Sequence, residues 1–211
     1  ASEAYAEGGA TDTLLSWLTD LVNRRKVQLV VDGYARRLAG DVVEPLSYRA
    51  ALNLLTADIS ADRAGQPVLP GQAVKVSLPD LATTPIDVDP ATRVYSFPIA
   101  DDGQSATVAL ETAASVAAKM QYVTRYGLGG AVVDGALDAE NDQNIAAMAR
   151  NYQPDLAVPE PKFALVFTVE DATSKQISQQ VVPLTDPNYT WTAPSNPGNY
   201  VISAAVSDDG G

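Results

Sequence analysis

The chain has 211 residues, of which 46% are hydrophobic and 19% charged, and its formal net charge is -12. It contains neither histidine nor cysteine, which excludes Ser-His-Asp and Cys-His catalytic sites, His/Cys zinc sites and disulfides. The acidic balance argues against a nucleic-acid or anionic-membrane surface, because both need clustered Lys and Arg. Because histidine and cysteine are absent, acid–base chemistry must rest on carboxylates, tyrosines or lysines. No cofactor is expected.

Neither a membrane span nor a signal peptide is predicted. No apolar run approaches the ~20 residues that a membrane-spanning helix needs. The first residues lack the basic and apolar segments of a signal peptide, and there is no initiator Met. We therefore expect the sequence to be a processed or partial product.

A helix followed at once by an apolar strand opens the chain. The apolar positions between Thr11 and Val22 fall on one helical face, and Trp17 on that face is expected to belong to the core. Residues 27–31 are nearly all apolar and β-branched, which is typical of a strand buried on both faces.

The same pattern returns later in the chain. A helix is predicted from about Glu111 to Tyr126, with Gly127 as its C-cap, and residues 128–133 form a second apolar strand. Between the two units the pattern predicts a short helix at 47–56 and an antiparallel excursion built from short extended segments. These segments are 73–78, 93–97 and 106–110.

The last 50 or so residues have an all-β pattern. Prolines at 154, 159 and 161 indicate a linker over residues 154–161. Alternating segments follow within 162–211, and no helical pattern is found there; they are 163–169, 177–182, 189–192 and 200–206. This favours an immunoglobulin-like sandwich, which usually needs about 100 residues. We therefore expect its remaining strands to be missing or to come from elsewhere.

The second helix–strand unit carries a family resemblance. Residues 111–120 and 126–133 resemble the last unit of family 18 glycoside hydrolases, which include chitinases and enzymes of the spore-cortex-lytic type. Residues 26–34 are similar to that family's seventh strand, and 65–97 lie where it carries an α+β insertion. The resemblance implies an α/β fold, with residues 1–153 as the C-terminal part of a (β/α)8 (TIM) barrel and an insertion at about 40–105.

The sequence also departs from that family. The acidic motif Asp-x-x-Asp-x-Asp-x-Glu, whose Glu is the proton donor, has no counterpart; its nearest echo, Asp87-Val88-Asp89, is followed by Pro90. Asp134 occupies the place of a subsite tryptophan. A complete barrel needs ~250 residues. The remaining half is therefore expected from an upstream chain or a partner subunit.

Three residues at the strand ends are the first candidate site. Catalytic residues of such barrels lie where the strands end. Asp32 and Tyr34 follow one strand and Asp134 ends the other, so in one barrel they would line a common glycan cleft. The alternative is that Asp-Gly after each strand is only turn chemistry. No catalytic residue is assigned.

An acidic loop supplies a weaker candidate. Asp138, Glu140 and Asp142 alternate and could hold Ca²⁺. Their spacing falls short of an EF-hand loop, and a solvated helix N-terminus explains the pattern equally well. No metal site is therefore assigned.

Aromatic residues of the all-β region supply the last candidate. Tyr189, Trp191 and Tyr200 could form a flat platform that binds a sugar ring. In a β-sandwich, however, a tryptophan on a strand is more often part of the core.

Two functions remain open at this point. One is a non-catalytic, glycan-binding or adhesive cell-surface segment, whose short β domain could form homopolymers by accepting a neighbour's strand. The other is the C-terminal part of a secreted glycoside hydrolase acting on chitin or peptidoglycan-type β-linked amino sugars, with its catalytic Glu upstream of Ala1. Both imply a glycan polymer or cell-wall polysaccharide as partner and an extracellular or cell-surface location.

Overall fold

The computed structural model describes residues 3–5, 7–101, 104–154 and 156–210. Residue 155 of the predicted linker therefore lies outside the described residues. The described ranges contain five α-helices: α1 (Ala10–Leu21), α2 (Tyr48–Leu54), α3 (Pro79–Thr83), α4 (Ala113–Tyr126) and α5 (Asn144–Arg150). None of these helices is long and apolar enough to cross a membrane.

The same ranges contain thirteen β-strands. They are β1 (Gln28–Asp32), β2 (Ala35–Ala39), β3 (Val42–Leu46), β4 (Ser60–Ala61), β5 (Ala73–Ser77), β6 (Asp87–Val88), β7 (Tyr95–Asp101), β8 (Gln104–Leu110), β9 (Gly130–Asp134), β10 (Ala164–Asp171), β11 (Gln176–Pro183), β12 (Asn188–Thr192) and β13 (Tyr200–Ser207). Most of the predicted segments are present within two residues of the predicted bounds.

The chain divides into two compact units. The first unit comprises the described residues of Ala1–Ala51 and Pro85–Glu160, and the second comprises those of Leu52–Thr84 and Pro161–Gly211. Part of the predicted insertion, residues 52–84, is thus grouped with the C-terminal β region. The predicted domain bounds and the immunoglobulin-like and barrel assignments stay predictions.

The first unit is organised around a parallel pair of strands. β1 pairs with β9 in parallel, and α4 packs on both strands and on α1 and α5. The core between them includes Val31, Val116 and Ile145, none of which exposes any surface. Thr112 and Ser115 form a capping box at the start of α4, and Gly127 ends the helix in the left-handed conformation at φ 60°.

The opposite face of this strand pair is open. Val30 is 63% exposed and Val132 is 47% exposed, so the prediction that both strands are buried on both faces is wrong for the chain as described. Trp17 is 60% exposed, and its predicted place in the core is also wrong. The apolar pattern identifies residues suited to burial, but a neighbouring element must be present to cover them.

A five-stranded antiparallel sheet completes the first unit. Its order is β3-β2-β8-β7-β6, and the hairpin of β2 and β3 was not predicted from the sequence. The hairpin turns at Gly40, whose φ of 56° favours glycine. Its strand β2 begins shortly after β1 ends, and its strand β8 ends shortly before α4 begins. The sheet is therefore connected to the carboxyl end of β1, where the candidate site lies.

The second unit contains two three-stranded antiparallel sheets. Their orders are β11-β10-β13 and β12-β5-β4. Phe167 of β10 stacks on Tyr189 of β12 with ring centroids 5.3 Å apart, and Val76 of β5 lies opposite Tyr189 in register. Two strands within the predicted insertion, β4 and β5, thus belong to the second unit and extend its sheets. The homopolymer prediction assumed that the C-terminal β region lacks strands. The strands supplied by residues 60–77 weaken that assumption.

Candidate functional site

The predicted cleft residues meet at the carboxyl ends of the parallel strands. The register of β1 and β9 ends with Asp32 opposite Asp134, and the Gly33 N–H donates to the Asp134 carbonyl at 3.0 Å. A Cβ at Gly33 would lie 2.9 Å from that carbonyl oxygen, so the close approach requires glycine. The ring of Tyr34 lies against Gly135, directly after Asp134. The structure therefore brings all three candidates together.

Asp32 is committed to the local structure. Its carboxylate accepts two hydrogen bonds from Arg36, with Nε at 3.2 Å and an Nη at 2.6 Å, and a third from the Tyr34 N–H at 2.9 Å. The hydrogen bond to Asp32 raises the pKa of Arg36, so that guanidinium stays charged. Asp32 thus serves the turn that was the alternative interpretation, although it lies at the predicted site.

Asp134 and Tyr34 differ from Asp32. Asp134 is exposed, and within the described ranges its carboxylate has no hydrogen-bond or ion-pair partner. The Tyr34 hydroxyl donates to Asp138 Oδ2 at 3.4 Å, and desolvation followed by the charges of Asp138 and Asp134 raises the pKa of Tyr34. The Tyr34 phenol is therefore protonated and hydrogen-bonded to Asp138, near the exposed Asp134 carboxylate, so the phenol oxygen and Asp134 can both accept hydrogen bonds.

A buried ionic group lies behind the strand ends, and sequence reasoning missed it. Glu111 accepts from the Ser115 hydroxyl at 2.7 Å and forms an ion pair with Lys119, and both charged side chains are less than 10% exposed. The Lys119 ammonium lies 5.3 Å from the centroid of the Tyr5 ring. Burial, followed by the charge of Glu111, raises the pKa of Tyr5. The signal in the sequence was Lys119, a charged residue next to Met120 on the buried face of α4.

The three predicted calcium ligands do not point toward a common centre but bind separate partners. Asp142 accepts from the backbone N–H groups of Ala113 at 2.7 Å and Asn144 at 2.8 Å, while Glu140 lies 3.4 Å from the guanidinium of Arg49. Asp138 faces Tyr34 instead. The described part of the chain holds no group of three or more side chains that could bind a metal.

The predicted aromatic platform is largely enclosed. Tyr189 is 5% exposed and Trp191 is 8% exposed, whereas Tyr200 is partly exposed. Trp191 packs against Tyr200 with ring centroids 5.2 Å apart and a tilt of 55°. The three rings therefore share no open flat face, as the alternative interpretation of a core tryptophan expects.

Comparisons with known proteins give partial similarities. No family model and no curated protein matches the chain. Among solved structures, a chitinase from Chromobacterium violaceum ATCC 12472 is 21% identical over 64% of this chain and 35% of that chain, with a TM-score of 0.44. The C-terminal domain of a putative chitinase from Desulfitobacterium hafniense DCB-2 is 17% identical over 59% and 33%, with a TM-score of 0.41.

A third neighbour is the spore cortex-lytic enzyme SleL from Bacillus megaterium QM B1551. It is 17% identical over 66% of this chain and 28% of that chain, with a TM-score of 0.37. The chain thus spans about a third of the length of these solved chains. At these identities and TM-scores the similarity assigns neither a family nor a substrate.

Proposed function

We propose that the chain is a glycoside-hydrolase-like segment that binds a glycan at the ends of β1 and β9 and does not hydrolyse it. The observation that carries the proposal is the exposed, unpartnered carboxylate of Asp134 beside the protonated hydroxyl of Tyr34. Sugar hydroxyl and amide groups both donate and accept hydrogen bonds, so this pair can hold them. The position also matches the place where the resemblance expects a sugar subsite.

The carboxylates near the strand ends support binding more than hydrolysis. Glycoside hydrolysis canonically needs a carboxylic acid that protonates the leaving group and a second carboxylate across the scissile bond. Asp32 has its oxygens committed to Arg36 and the backbone, and Glu111 is committed to Lys119 and Ser115. Asp138 accepts from the Tyr34 hydroxyl and the Glu140 N–H. Among the described carboxylates at the strand ends, Asp134 is therefore the one without a partner, which suits a hydrogen-bond acceptor.

The ligand class and the location follow from the resemblance in sequence. We propose a polymer of β-linked amino sugars, such as chitin or peptidoglycan, whose amide N–H and hydroxyl groups would donate to Asp134. A structural or adhesive role at the cell surface or outside the cell fits such a ligand.

A second function, an active glycoside hydrolase, is favoured by one observation. Parallel sheets are normally covered on both faces, yet Val30 and Val132 leave one face of the β1–β9 pair open. We propose that further parallel strands, from the parent chain or a partner subunit, cover this face. Such strands could bring the proton-donating Glu that the 211 residues lack.

The test measures binding and hydrolysis with the same protein. The 211-residue chain is titrated with chitin oligosaccharides in a calorimeter and sedimented with purified peptidoglycan. Loss of a hydrogen bond to a charged group costs about 1.5–3 kcal/mol, so Asp134→Ala should weaken binding by about tenfold or more. Asp20→Ala, an exposed aspartate of α1, is the control with the same change in charge.

Two results would contradict the proposal. The first is an absence of binding, or an equal loss of affinity in Asp134→Ala and Asp20→Ala; either would show that Asp134 does not form the glycan site. Release of reducing ends from chitin oligosaccharides by this chain would contradict the non-catalytic role and favour the second function.

A further inference from the structure

We propose that a cavity of the second unit binds an acidic sugar, with Arg63 as the group that holds its carboxylate. The cavity has a volume of about 810 Å³ and lies between residues 59–76 and 191–202. This volume lies within the range of roughly 300–1,000 Å³ that is typical of small-molecule sites. The cavity belongs to the second unit alone, and the proposal does not depend on the site at Asp134.

Charge is the first observation. Among the described residues that line the cavity, Arg63 is the only one that carries a charge, although the chain as a whole has a net charge of -12. Arg63 Nε is buried and has no hydrogen-bond partner among the residues that the structure describes. A buried donor without an acceptor is unfavourable, and a carboxylate oxygen is the acceptor that a guanidinium binds best.

The rings beside the cavity are the second observation. Trp191 and Tyr200 line it, and the Tyr200 hydroxyl donates to the Asn196 carbonyl at 2.9 Å. A Cβ at Gly198 would lie 3.4 Å from the Tyr200 ring, so the ring lies close to that backbone. The wall is therefore held in place before a ligand binds, which lowers the entropic cost of binding.

The polar composition of the lining favours a sugar over a purely apolar acid. Gln66, Asn196 and Asn199 are among the lining residues, and a side-chain amide can both donate to and accept from a sugar hydroxyl. Apolar residues such as Val74 and Ile202 face the same space and suit the C–H face of a pyranose. The occupant that fits all three features is a pyranose that carries a carboxylate.

A neighbouring hollow provides a contrast within the same unit. It has a volume of about 590 Å³ and shares Trp191 and Tyr200, but its described lining includes Asp171 and no Lys or Arg. The Asp171 carboxylate accepts from the Thr173 hydroxyl and the backbone, which lowers its pKa and keeps it charged. An anionic sugar would be repelled there, so the charge of the lining selects the larger cavity.

The experiment uses the fluorescence of Trp191. In the Trp17→Phe variant of the 211-residue chain, Trp191 is the remaining tryptophan. We expect a saturable change in its emission with D-glucuronic acid or N-acetylmuramic acid at a Kd near or below about 1 mM. The neutral counterparts D-glucose and N-acetylglucosamine should give no saturable change. The two acids distinguish a hexuronate from a lactyl-ether amino sugar as the source of the carboxylate.

Variants of single cations test the role of Arg63. Arg63→Gln should weaken binding of the responding acid by about tenfold or more, because one charge-assisted hydrogen bond is lost. Lys175→Gln removes one exposed positive charge from the same unit outside the cavity and should leave the affinity unchanged. If Arg63→Gln does not fold, as judged by circular dichroism, Arg63→Lys replaces it. That variant keeps the charge, lacks the planar fork and should also bind more weakly.

Several results would overturn the proposal. These are the absence of a saturable response to both acids, an equal response to the neutral sugars, or an unchanged affinity in the Arg63 variants. The Asp134→Ala variant should bind the acid as the parent does. Loss of acid binding in that variant would overturn the separate site, whereas failure of the chitin titration alone would leave Arg63 as proposed.

Discussion

The two units use similar apolar strands and differ in whether those strands are covered. In the second unit Phe167 and Val169 expose no surface, because the faces of two antiparallel sheets meet there. In the first unit Val31 is fully buried while its neighbour Val30 is 63% exposed. The comparison shows that β-branched, apolar sequence makes a strand suitable for a two-sided core, whereas the number of neighbouring layers decides whether the core forms.

The units also differ in what they bury besides apolar side chains. The buried polar and charged residues of the described ranges, including Glu111, Ser115, Lys119 and Asp142, all lie in the first unit. Breaking one partner of a buried ion pair is costly, and a fully apolar replacement is often as stable, so such groups are weak evidence for stability alone. These groups lie near the carboxyl ends of β1 and β9, where they can fix the positions of the candidate site residues.

The largest expected effect lies between the two sheets of the second unit. Phe167→Ala removes a fully buried ring that stacks on Tyr189, and such substitutions cost about 3–5 kcal/mol. Urea unfolding should therefore shift to a much lower midpoint when it is followed by Trp191 emission in the Trp17→Phe background. Ile177→Ala, at a strand residue that is 42% exposed, is the control and should change little.

A small shift in Phe167→Ala would break the comparison. It would mean that the two sheets of the second unit are not pressed together in solution as they are in the structure. The Trp17→Phe background is suitable because Trp17 is 60% exposed, and exposed substitutions usually change stability by less than about 0.5 kcal/mol.

A pair of adjacent valines in β1 tests the open face of the first unit. Val31→Ala removes two buried methyl groups and should lower the free energy of unfolding by about 2 kcal/mol, whereas Val30→Ala should change it by less than about 0.5 kcal/mol. Urea denaturation of both variants followed by circular dichroism gives the two values. Because the residues are identical and adjacent, the difference between them reports coverage alone.

An equal loss of unfolding free energy in Val30→Ala and Val31→Ala would contradict the open face. It would show that Val30 is covered in solution, by a second copy of the chain or another partner. Sedimentation of the same samples would then distinguish a monomer from an assembly. A longer protein whose additional strands cover this face should show a large loss for Val30→Ala.

Local structure was predictable where a single residue type or a short pattern decides it. Gly127 was predicted as a C-cap and adopts the left-handed conformation. Asp32 and Tyr34 were expected to follow one strand and Asp134 to end the other, and they lie at the ends of β1 and β9. The exposure of Trp17 was not predictable, because it depends on which elements surround α1.

The pairing of distant strands and the burial of individual polar atoms could not be predicted from the sequence. β5 pairs with β12, more than 100 positions away, and no pattern in residues 73–77 identifies that partner. Arg63 was missed because an arginine in a loop is usually solvated, and only the folded cavity shows that its Nε is buried. Tertiary pairing decides such cases, so periodicity alone could not have found them.

The smallest expected effect concerns pH and a polar contact of the first unit. The Tyr126 hydroxyl donates to the Asp12 carboxylate, a contact between α4 and α1. This hydrogen bond lowers the pKa of Asp12 below 3.8 and raises the pKa of Tyr126 above 10.0. The folded state thus favours charged Asp12 and neutral Tyr126.

The signs of the two shifts predict two limbs of the stability profile. The contribution of Asp12 is fully present above pH 3.8 and is lost as the pH falls through its lowered pKa, because the unfolded state then binds the proton more tightly. The contribution of Tyr126 is fully present below pH 10.0 and is lost as the pH rises through its raised pKa.

The test compares urea midpoints measured across the pH range. In Tyr126→Phe we expect the midpoint to fall less steeply than in the parent at both the acidic and the alkaline end. Tyr152→Phe, at a tyrosine of the same unit without a described carboxylate partner, should keep the parent's loss of stability at acidic pH. An unchanged acid limb in Tyr126→Phe would show that Asp12 owes its stabilising effect to other groups, such as the Gly8 N–H at 2.9 Å.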